Sequence, residues 1–190
     1  MLVNAWRAVV PFKLGPDAKS RLAGLLSAPE RAALGLRMAR HVLGILDATD
    51  RFGAIVLLSP ERPAWWDGAW AKDSGKGLNP ELASWRAGQG DAPVLVIHTD
   101  LPLLEVEDVI DLLDCAEASG IALATDRAGE GSNALAIADG RDFTFRFGPG
   151  SRALHAGQSL DMPVIVSPGL AADLDTPDDA AFLAARGFKL

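Results

Sequence analysis

Five short apolar runs, spread along the chain and separated by helical or polar stretches, constrain the fold most. Each run is apolar at consecutive positions rather than at every second one, which predicts strands covered on both faces of a sheet. Strands that alternate with helices indicate a three-layer α/β/α domain with a mostly parallel sheet. The predicted strands are Ala5–Val10, Ala54–Leu58, Val94–Ile97, Ile121–Ala124 and Met162–Val166.

Helix signals lie between and after these runs. A first helix is predicted to begin behind Ser27, because Ser27 and Glu30 have the spacing of a capping box. A second helix is predicted from about Glu105, and a last one, capped by Thr176, from Pro177 to Arg186.

Composition excludes several function classes. At 190 residues and 49% hydrophobic, the chain is predicted to form one domain over residues 1–190. Its apolar runs are far shorter than the roughly 20 residues that cross a bilayer, and no signal-peptide core is visible, so we expect a soluble, cytoplasmic protein without a membrane partner. The net charge of −7 argues against a nucleic-acid partner. Cys115 has no second cysteine to pair with, which fits a reducing compartment.

A cationic loop follows the first predicted strand. Parallel α/β sheets bind ligands at the carboxyl ends of their strands, so Lys13, Lys19 and Arg21 are candidates for binding phosphate. Residues Gly15 to Ser20 resemble a phosphate-binding P-loop, but Ala18 replaces its second glycine, so side chains rather than backbone amides would bind phosphate. The alternative interpretation is a solvated charged turn.

Three acids form a candidate metal site. Asp100 lies just beyond the third predicted strand, where a carboxylate is well placed to hold Mg²⁺ or to accept backbone N–H groups of the turn. Asp173 and Asp175 point to one side if their segment is extended, and would share the ion with Asp100. The alternative for this pair is an ordinary acidic helix start before Thr176. We expect Asp173 to be the more functional of the two.

A split glycine-rich stretch is the fourth candidate loop, over Asp126–Leu135 and Phe145–Ser151. Glycines let backbone N–H groups approach an anionic substrate closely, and Ser151 is expected to open a short helix whose N-terminus favours phosphate. Plain turns are the alternative. The histidines are interpreted as structural or exposed, with His98 notable for its place two residues before Asp100.

Four tryptophans crowd one region of the sequence: Trp65, Trp66, Trp70 and Trp85. They are able to flank a base, but we favour a hydrophobic cover or a contact between two copies in a homodimer.

The ordered motifs together resemble the 2-phospho-L-lactate guanylyltransferase family. Its members make the phosphodiester precursor of coenzyme F420 and have a glycosyltransferase-A-like nucleotidyltransferase fold. The motifs that carry the resemblance are Val10-Pro11-x-Lys13, Ala18-Lys19-Ser20-Arg21-Leu22, Gly77-Leu78-Asn79, Thr99-Asp100-Leu101-Pro102-Leu103-Leu104, Asp126-Arg127, Gly131-Ser132-Asn133-Ala134-Leu135, Phe147-Gly148-Pro149-Gly150-Ser151 and Asp173-Leu174-Asp175-Thr176-Pro177.

The resemblance implies a magnesium-dependent guanylyltransferase that moves GMP from GTP to the phosphate of a small phospho-acid and releases pyrophosphate. The acceptor is open between 2-phospho-L-lactate, phosphoenolpyruvate and 3-phosphoglycerate. A related nucleotidyltransferase acting on molybdopterin or a sugar phosphate, and a non-catalytic nucleotide-binding module, are the alternatives. The implied roles are Lys13, Lys19 and Arg21 on the triphosphate, Gly77 and Asn79 near the guanine, Ser132, Asn133, Gly148 and Ser151 on the acceptor, and Asp100, Asp173 and Asp175 on Mg²⁺.

Overall fold

A seven-stranded sheet forms the middle of the protein in a computed structural model that describes residues 5–13, 15 and 19–190. Its strands are β1 (Trp6–Pro11), β2 (Phe52–Ser59), β3 (Ala69–Lys72), β4 (Val94–Ile97), β5 (Ile121–Thr125), β6 (Ser132–Ile137) and β7 (Val164–Ile165). Their spatial order is β3-β2-β1-β4-β6-β5-β7, and β6 alone among them runs antiparallel to its neighbours.

Six α-helices in the described part of the chain connect these strands, together with a 3-10 turn at Ser20–Leu22. They are α1 (Ala28–Ala48), α2 (Leu78–Ala87), α3 (Val106–Ser119), α4 (Ser151–Ala156), α5 (Pro168–Ala171) and α6 (Pro177–Ala184). Among the described residues, none of the helices combines the length and the apolar composition of a membrane span.

The alternation of strand side chains produces two packed layers around the sheet. Side chains such as Val10 and Ile97 pack on one face against α1 and α3. Val9 and Val96 point to the other face, where Leu82 of α2 covers them. The three-layer, mostly parallel α/β arrangement predicted from the continuous apolar runs is therefore confirmed.

All five predicted strands are present, but two strands were missed. β3 is a four-residue edge strand with only three consecutive apolar residues, none of which is buried. β6 was interpreted as part of a glycine-rich loop, and that interpretation is wrong for Ser132 and Asn133, which are buried strand residues. The loop is only a tight turn, because the Asp126 carboxylate accepts the N–H groups of Glu130 and Gly131 and returns the chain as a hairpin.

The predicted helix starts are confirmed. The Ser27 N–H donates to the Glu30 carboxylate at 2.7 Å, which completes the capping box of α1. Thr176 and Asp179 form the same motif at α6. These caps fix the residues at which α1 and α6 begin.

A close approach of α5 to the start of α3 fixes two loops relative to each other. A Cβ on Gly169 would overlap the Asp108 carboxylate and lie 2.8 Å from the Leu103 carbonyl oxygen. Leu103 belongs to the loop after Asp100, and α5 leads directly to Asp173. Glycine is therefore required where these two segments meet.

Gly169→Ala is expected to lower the free energy of unfolding by about 1–3 kcal/mol, because the added methyl group must displace backbone. Gly44→Ala is the matched control, since Gly44 is exposed in α1 and a Cβ added there would meet nothing within 4 Å. That control should gain about 0.5–1 kcal/mol from helix propensity. Urea unfolding measures the free energy of unfolding of both variants. Equal changes in the two variants would contradict the close approach at Gly169.

Candidate active site

Lys19 lies at the centre of a cluster of charged side chains. Its Nζ is 2.6 Å from Asp100 Oδ2 and 2.6 Å from Asp175 Oδ1. The Lys19 and Asp100 side chains are only 14% and 19% exposed. The structure therefore brings the cationic loop together with two of the three predicted metal ligands, at the predicted edge of the sheet.

Strand order explains why these distant residues meet. β1 and β4 are parallel neighbours, so the loops that follow them, carrying Lys19 and Asp100, leave the sheet at the same edge. The Leu174 N–H donates to the Asp100 carbonyl oxygen at 3.0 Å, which lays the segment after α5 alongside. Because the Leu174 side chain is buried in the core, its neighbours Asp173 and Asp175 are left beside the cluster.

The electrostatics of the cluster are unbalanced, with three carboxylates around one ammonium group. Burial by itself would lower the pKa of Lys19, but Asp100 and Asp175 outweigh it and the pKa of Lys19 is raised. Burial likewise opposes ionisation of Asp100, yet Lys19 holds its pKa below the usual value. Burial, with the negative charge of Asp100 second, raises the pKa of Asp173 to about 6. Asp173 thus lacks a cationic partner of its own among the described side chains.

The donor set fits a hard cation. Asp100 Oδ1 is buried and, within the described ranges, makes no hydrogen bond. Carboxylate oxygens are preferred ligands of Mg²⁺, and a cation would relieve the repulsion around Asp173. As the described residues stand, no three acids, histidines or cysteines are arranged to hold a metal ion, and Lys19 is bonded to both Asp100 and Asp175.

Arg21 and Lys13 differ in placement. Arg21 lines a cleft of about 440 Å³ together with Asp173, Asp175 and Arg127, next to the cluster. Lys13 is exposed just past β1. Leu14 and 16–18 lie outside the described residues, and with them the part of the loop prediction that concerns Ala18.

The predicted acceptor residues of β6 make contacts within the protein. The Asn133 amide donates to the Leu170 carbonyl oxygen at 3.0 Å and to Asp173 Oδ1 at 3.3 Å, so it orients Asp173. Ser132 Oγ is 2.9 Å from His155 Nδ1. Ser151 is buried where it opens α4, as predicted for a short helix at this position.

The predicted guanine-side residues meet the second half of the glycine-rich stretch. Asn79 Nδ2 donates to the Phe147 carbonyl oxygen at 3.0 Å, and the Phe147 N–H donates to Asn79 Oδ1 at 2.8 Å. Gly77, which caps α2, and Gly148 are both exposed and have positive φ values of 97° and 128°. Two regions to which the resemblance gives different substrates are therefore in direct contact.

Sequence reasoning missed the aromatic cluster beneath this contact. The Phe147 ring lies 4.8 Å from the His155 ring and 5.2 Å from the His98 ring, centroid to centroid. His155 Nε2 accepts the Arg146 N–H at 2.8 Å, which identifies the neutral tautomer with its hydrogen on Nδ1. A lone histidine in a short helix gives no sequence signal for this role.

The tryptophans cover the core in the described structure. Trp65 and Trp66 pack against the core on the α1 side of the sheet, and Trp85 packs against the core on the α2 side. Trp65 also meets the Phe12 ring edge-on at 5.4 Å, just before Lys13. Cover is confirmed for these three side chains, while a homodimer contact stays a prediction.

Comparison with known proteins points to one family. Residues 6–187 match the model of the family described as "Guanylyl transferase CofC like". A phosphoenolpyruvate guanylyltransferase of Sphaerobacter thermophilus is 36% identical over 93% of this chain and 91% of that protein. A 2-phospho-L-lactate guanylyltransferase of Methanocella arvoryzae is 37% identical over 69% of this chain and 56% of that protein.

Solved structures agree on the fold. A Methanothermobacter nucleotidyl transferase aligns with a TM-score of 0.65 over 96% of this chain and 97% of that chain, at 14% identity. The structure of 4-diphosphocytidyl-2C-methyl-D-erythritol synthase aligns with a TM-score of 0.62 over 96% and 98%, at 13% identity. The predicted nucleotidyltransferase fold is therefore confirmed.

The buried His155 is expected to make stability depend on pH. Burial lowers its pKa to about 4, with His98 adding to the shift, whereas an unfolded chain protonates histidine near pH 6.5. Its contribution is therefore complete above about pH 6.5 and is lost as the pH falls towards 4. His155→Gln removes this titration. Between pH 7.5 and pH 5 the stability advantage of the unsubstituted protein over the variant should shrink by about 2 kcal/mol, and an unchanged advantage in denaturant unfolding would contradict the assignment.

Proposed function

The chain belongs to the family of CofC-like guanylyl transferases, and from that premise we propose that it transfers GMP from GTP to the phosphate of a small phospho-acid and releases pyrophosphate. The observation that carries the proposal is the contact of Lys19 with Asp100 and Asp175, because it brings a cation able to bind phosphate together with acids able to bind a metal ion. We assign the reaction to the cytoplasm and to coenzyme F420 biosynthesis.

Phosphoenolpyruvate is the acceptor that we propose first. The relatives from Sphaerobacter thermophilus and Rubrobacter xylanophilus, each 36% identical over more than nine tenths of this chain, are named phosphoenolpyruvate guanylyltransferases. The relative named for 2-phospho-L-lactate aligns over a smaller share. 2-Phospho-L-lactate and 3-phosphoglycerate present the same phosphate and carboxylate and are the acceptors to compare.

The proposed reaction is an in-line displacement at the α-phosphorus of GTP. An oxygen of the acceptor phosphate forms the new P–O bond, and the bond to the oxygen bridging the α- and β-phosphates breaks, so pyrophosphate leaves with that electron pair. A phosphate oxygen is already ionised at neutral pH, so the step needs no general base. This agrees with the half-buried His98 and the buried His155, because burial lowers the pKa of both imidazoles and makes them weaker bases.

The chain's own residues position the reactants and neutralise charge. In the proposed complex, Lys13, Lys19 and Arg21 bind phosphate oxygens of GTP, which requires Lys19 to exchange a carboxylate for phosphate. Asn133 keeps Asp173 turned to the site through its 3.3 Å hydrogen bond. In the same complex the exposed Gly148 faces the acceptor with its backbone, whereas the N–H groups of Ser151 and Arg152 at the start of α4 are bonded to the Gly148 and Glu130 carbonyl oxygens.

We propose Asp100, Asp173 and Asp175 as the residues that hold Mg²⁺. When bound, the ion supplies charge neutralisation and polarisation of phosphoryl oxygens. Two features of the structure support the assignment. Asp100 Oδ1 is buried without a partner among the described residues, and burial and neighbouring acids raise the pKa of Asp173 to about 6.

Incubation with GTP and Mg²⁺ together with each of the three phospho-acids separately tests the proposed reaction. Phosphoenolpyruvate should yield one guanylylated product and one pyrophosphate for each GTP consumed, read by mass spectrometry and a phosphate assay. GTP binding in calorimetry without any product would instead indicate a non-catalytic module. Consumption of molybdopterin or a sugar phosphate alone would indicate a related enzyme with a different acceptor.

Asp173→Asn distinguishes a catalytic role of Asp173 from a structural one, because the two roles predict opposite changes in melting temperature. The variant keeps the shape and the Asn133 contact but loses a charge, so turnover should fall by about 100-fold or more. Without divalent ions its melting temperature should rise, because the variant no longer buries a charge and no longer feels repulsion from Asp100.

Asp161→Asn is the matched control, since Asp161 is exposed and lies in the loop before β7. It should leave both turnover and melting temperature unchanged. An Asp173→Asn protein that turns over as fast as this control would remove Asp173 from the site.

A further inference from the structure

The chain between β6 and α4 is held in place by side chains rather than by a strand ladder. Residues 141–147 have no helix or strand of their own. At its start, Asp139 accepts the N–H of Arg141 at 3.1 Å, and three further side chains bind the backbone of residues 144–147. Gln158 brackets Thr144, accepting its N–H at 2.9 Å and donating to its carbonyl oxygen at 2.8 Å. His155 accepts the N–H of Arg146. Asn79 brackets Phe147 in the same two-bond manner as Gln158.

Asn79 differs from the other two in where it comes from. His155 lies in α4 and Gln158 two residues beyond it, so both come from the stretch of chain that directly follows the segment they bind. Asn79 lies in the first turn of α2, 68 residues away in sequence, beside the exposed Gly77. The two hydrogen bonds of its amide therefore connect residues 144–147 to the region assigned to the nucleotide.

The position of the Phe147 peptide determines where the next residues, Gly148–Ser151, begin. Gly148 comes next, and its carbonyl oxygen accepts the N–H of Ser151 at 3.1 Å, at the start of α4. On the other side, the Phe147 ring contacts His98, two residues before Asp100. A shift of the Phe147 peptide would move the predicted acceptor stretch relative to the charged cluster.

We propose that Asn79 is a positioning residue for the acceptor stretch Gly148–Ser151 and not a reader of the guanine base. Its carbonyl oxygen and one amide hydrogen are engaged by Phe147, in the one orientation of the amide that satisfies both groups. The inference rests on the proposed function for the identity of the acceptor, a small phospho-acid. The placement of the stretch itself rests only on these contacts.

Truncation of Asn79 leaves both polar groups of a nearly buried peptide unpaired. Phe147 is 8% exposed, so its N–H and carbonyl oxygen gain little from solvent when the bracket is removed. Asn79→Asp is nearly isosteric but cannot donate to the carbonyl oxygen, and its charge repels that oxygen. Both variants should therefore loosen the Phe147 peptide.

Steady-state kinetics of Asn79→Ala and Asn79→Asp test the inference, with Gln158→Ala as the matched control that removes an equivalent pair of hydrogen bonds three residues upstream. We expect KM for the phospho-acid to rise by about tenfold or more in both Asn79 variants, with KM for GTP and the preference for GTP over ATP within about twofold. Gln158→Ala should leave all three within about twofold.

Amide hydrogen exchange of the substrate-free proteins gives a readout that needs no activity. Exchange over Phe147–Ser151 should accelerate in the Asn79 variants, whereas Gln158→Ala should accelerate exchange only around Thr144. Relaxed preference for GTP over ATP with an unchanged acceptor KM, or unchanged exchange at Phe147, would overturn the inference. If the unsubstituted protein makes no product with any phospho-acid, the proposed function fails, and hydrogen exchange alone still decides whether Asn79 positions the stretch.

Discussion

The contact of the Lys19 ammonium with the carboxylates of Asp100 and Asp175 is the interaction on which the site depends. It joins the loop after β1, the loop after β4 and the segment after α5, which are brought together only in the folded sheet. A largely buried ion pair gains little net stability, because desolvation offsets its attraction. A third carboxylate, Asp173, lies nearby with its pKa raised to about 6. An arrangement in which acids outnumber their cation is poor for stability and well suited to binding a further cation, which would in turn attract phosphates.

The surrounding fold holds this unfavourable arrangement in place with neutral contacts. The Leu174 N–H to Asp100 carbonyl bond and the buried Leu174 side chain set the backbone of the acidic pair. Asn133 holds Asp173 from β6, and the close approach at Gly169 keeps α5 against the loop after Asp100. The segment before the predicted acceptor stretch is held by a separate set of side-chain hydrogen bonds to the backbone of residues 144–147. The residues that carry the charges are thus different from the residues that hold the backbone in place, and each set can be tested by its own substitutions.

The sequence allowed the sheet edge to be predicted because the rules involved are local. Continuous apolar runs indicate buried parallel strands. Because ligands bind at the carboxyl ends of such strands, the sequence alone identifies Lys19 and Asp100 as candidate site residues. The strand β6 was missed although residues 134–138 form a continuous apolar run, because the glycines before this run were interpreted as a loop, whereas the Asp126 carboxylate closes them into a tight turn. The pairing of Asn79 with Phe147 joins residues 68 positions apart, and no periodicity or spacing signals such a partner. What lay beyond sequence reasoning was therefore the set of long-range polar contacts.

A crystal structure of the protein with Mn²⁺ and a GTP analogue that cannot react tests the central claim most directly, because manganese is located by anomalous scattering. The account predicts one manganese peak within bonding distance of Asp100 and Asp173 oxygens, with Lys19 Nζ moved from Asp100 to a phosphate oxygen. A manganese peak away from these carboxylates, or Lys19 still bound to Asp100 and Asp175 while the triphosphate lies elsewhere, would contradict it.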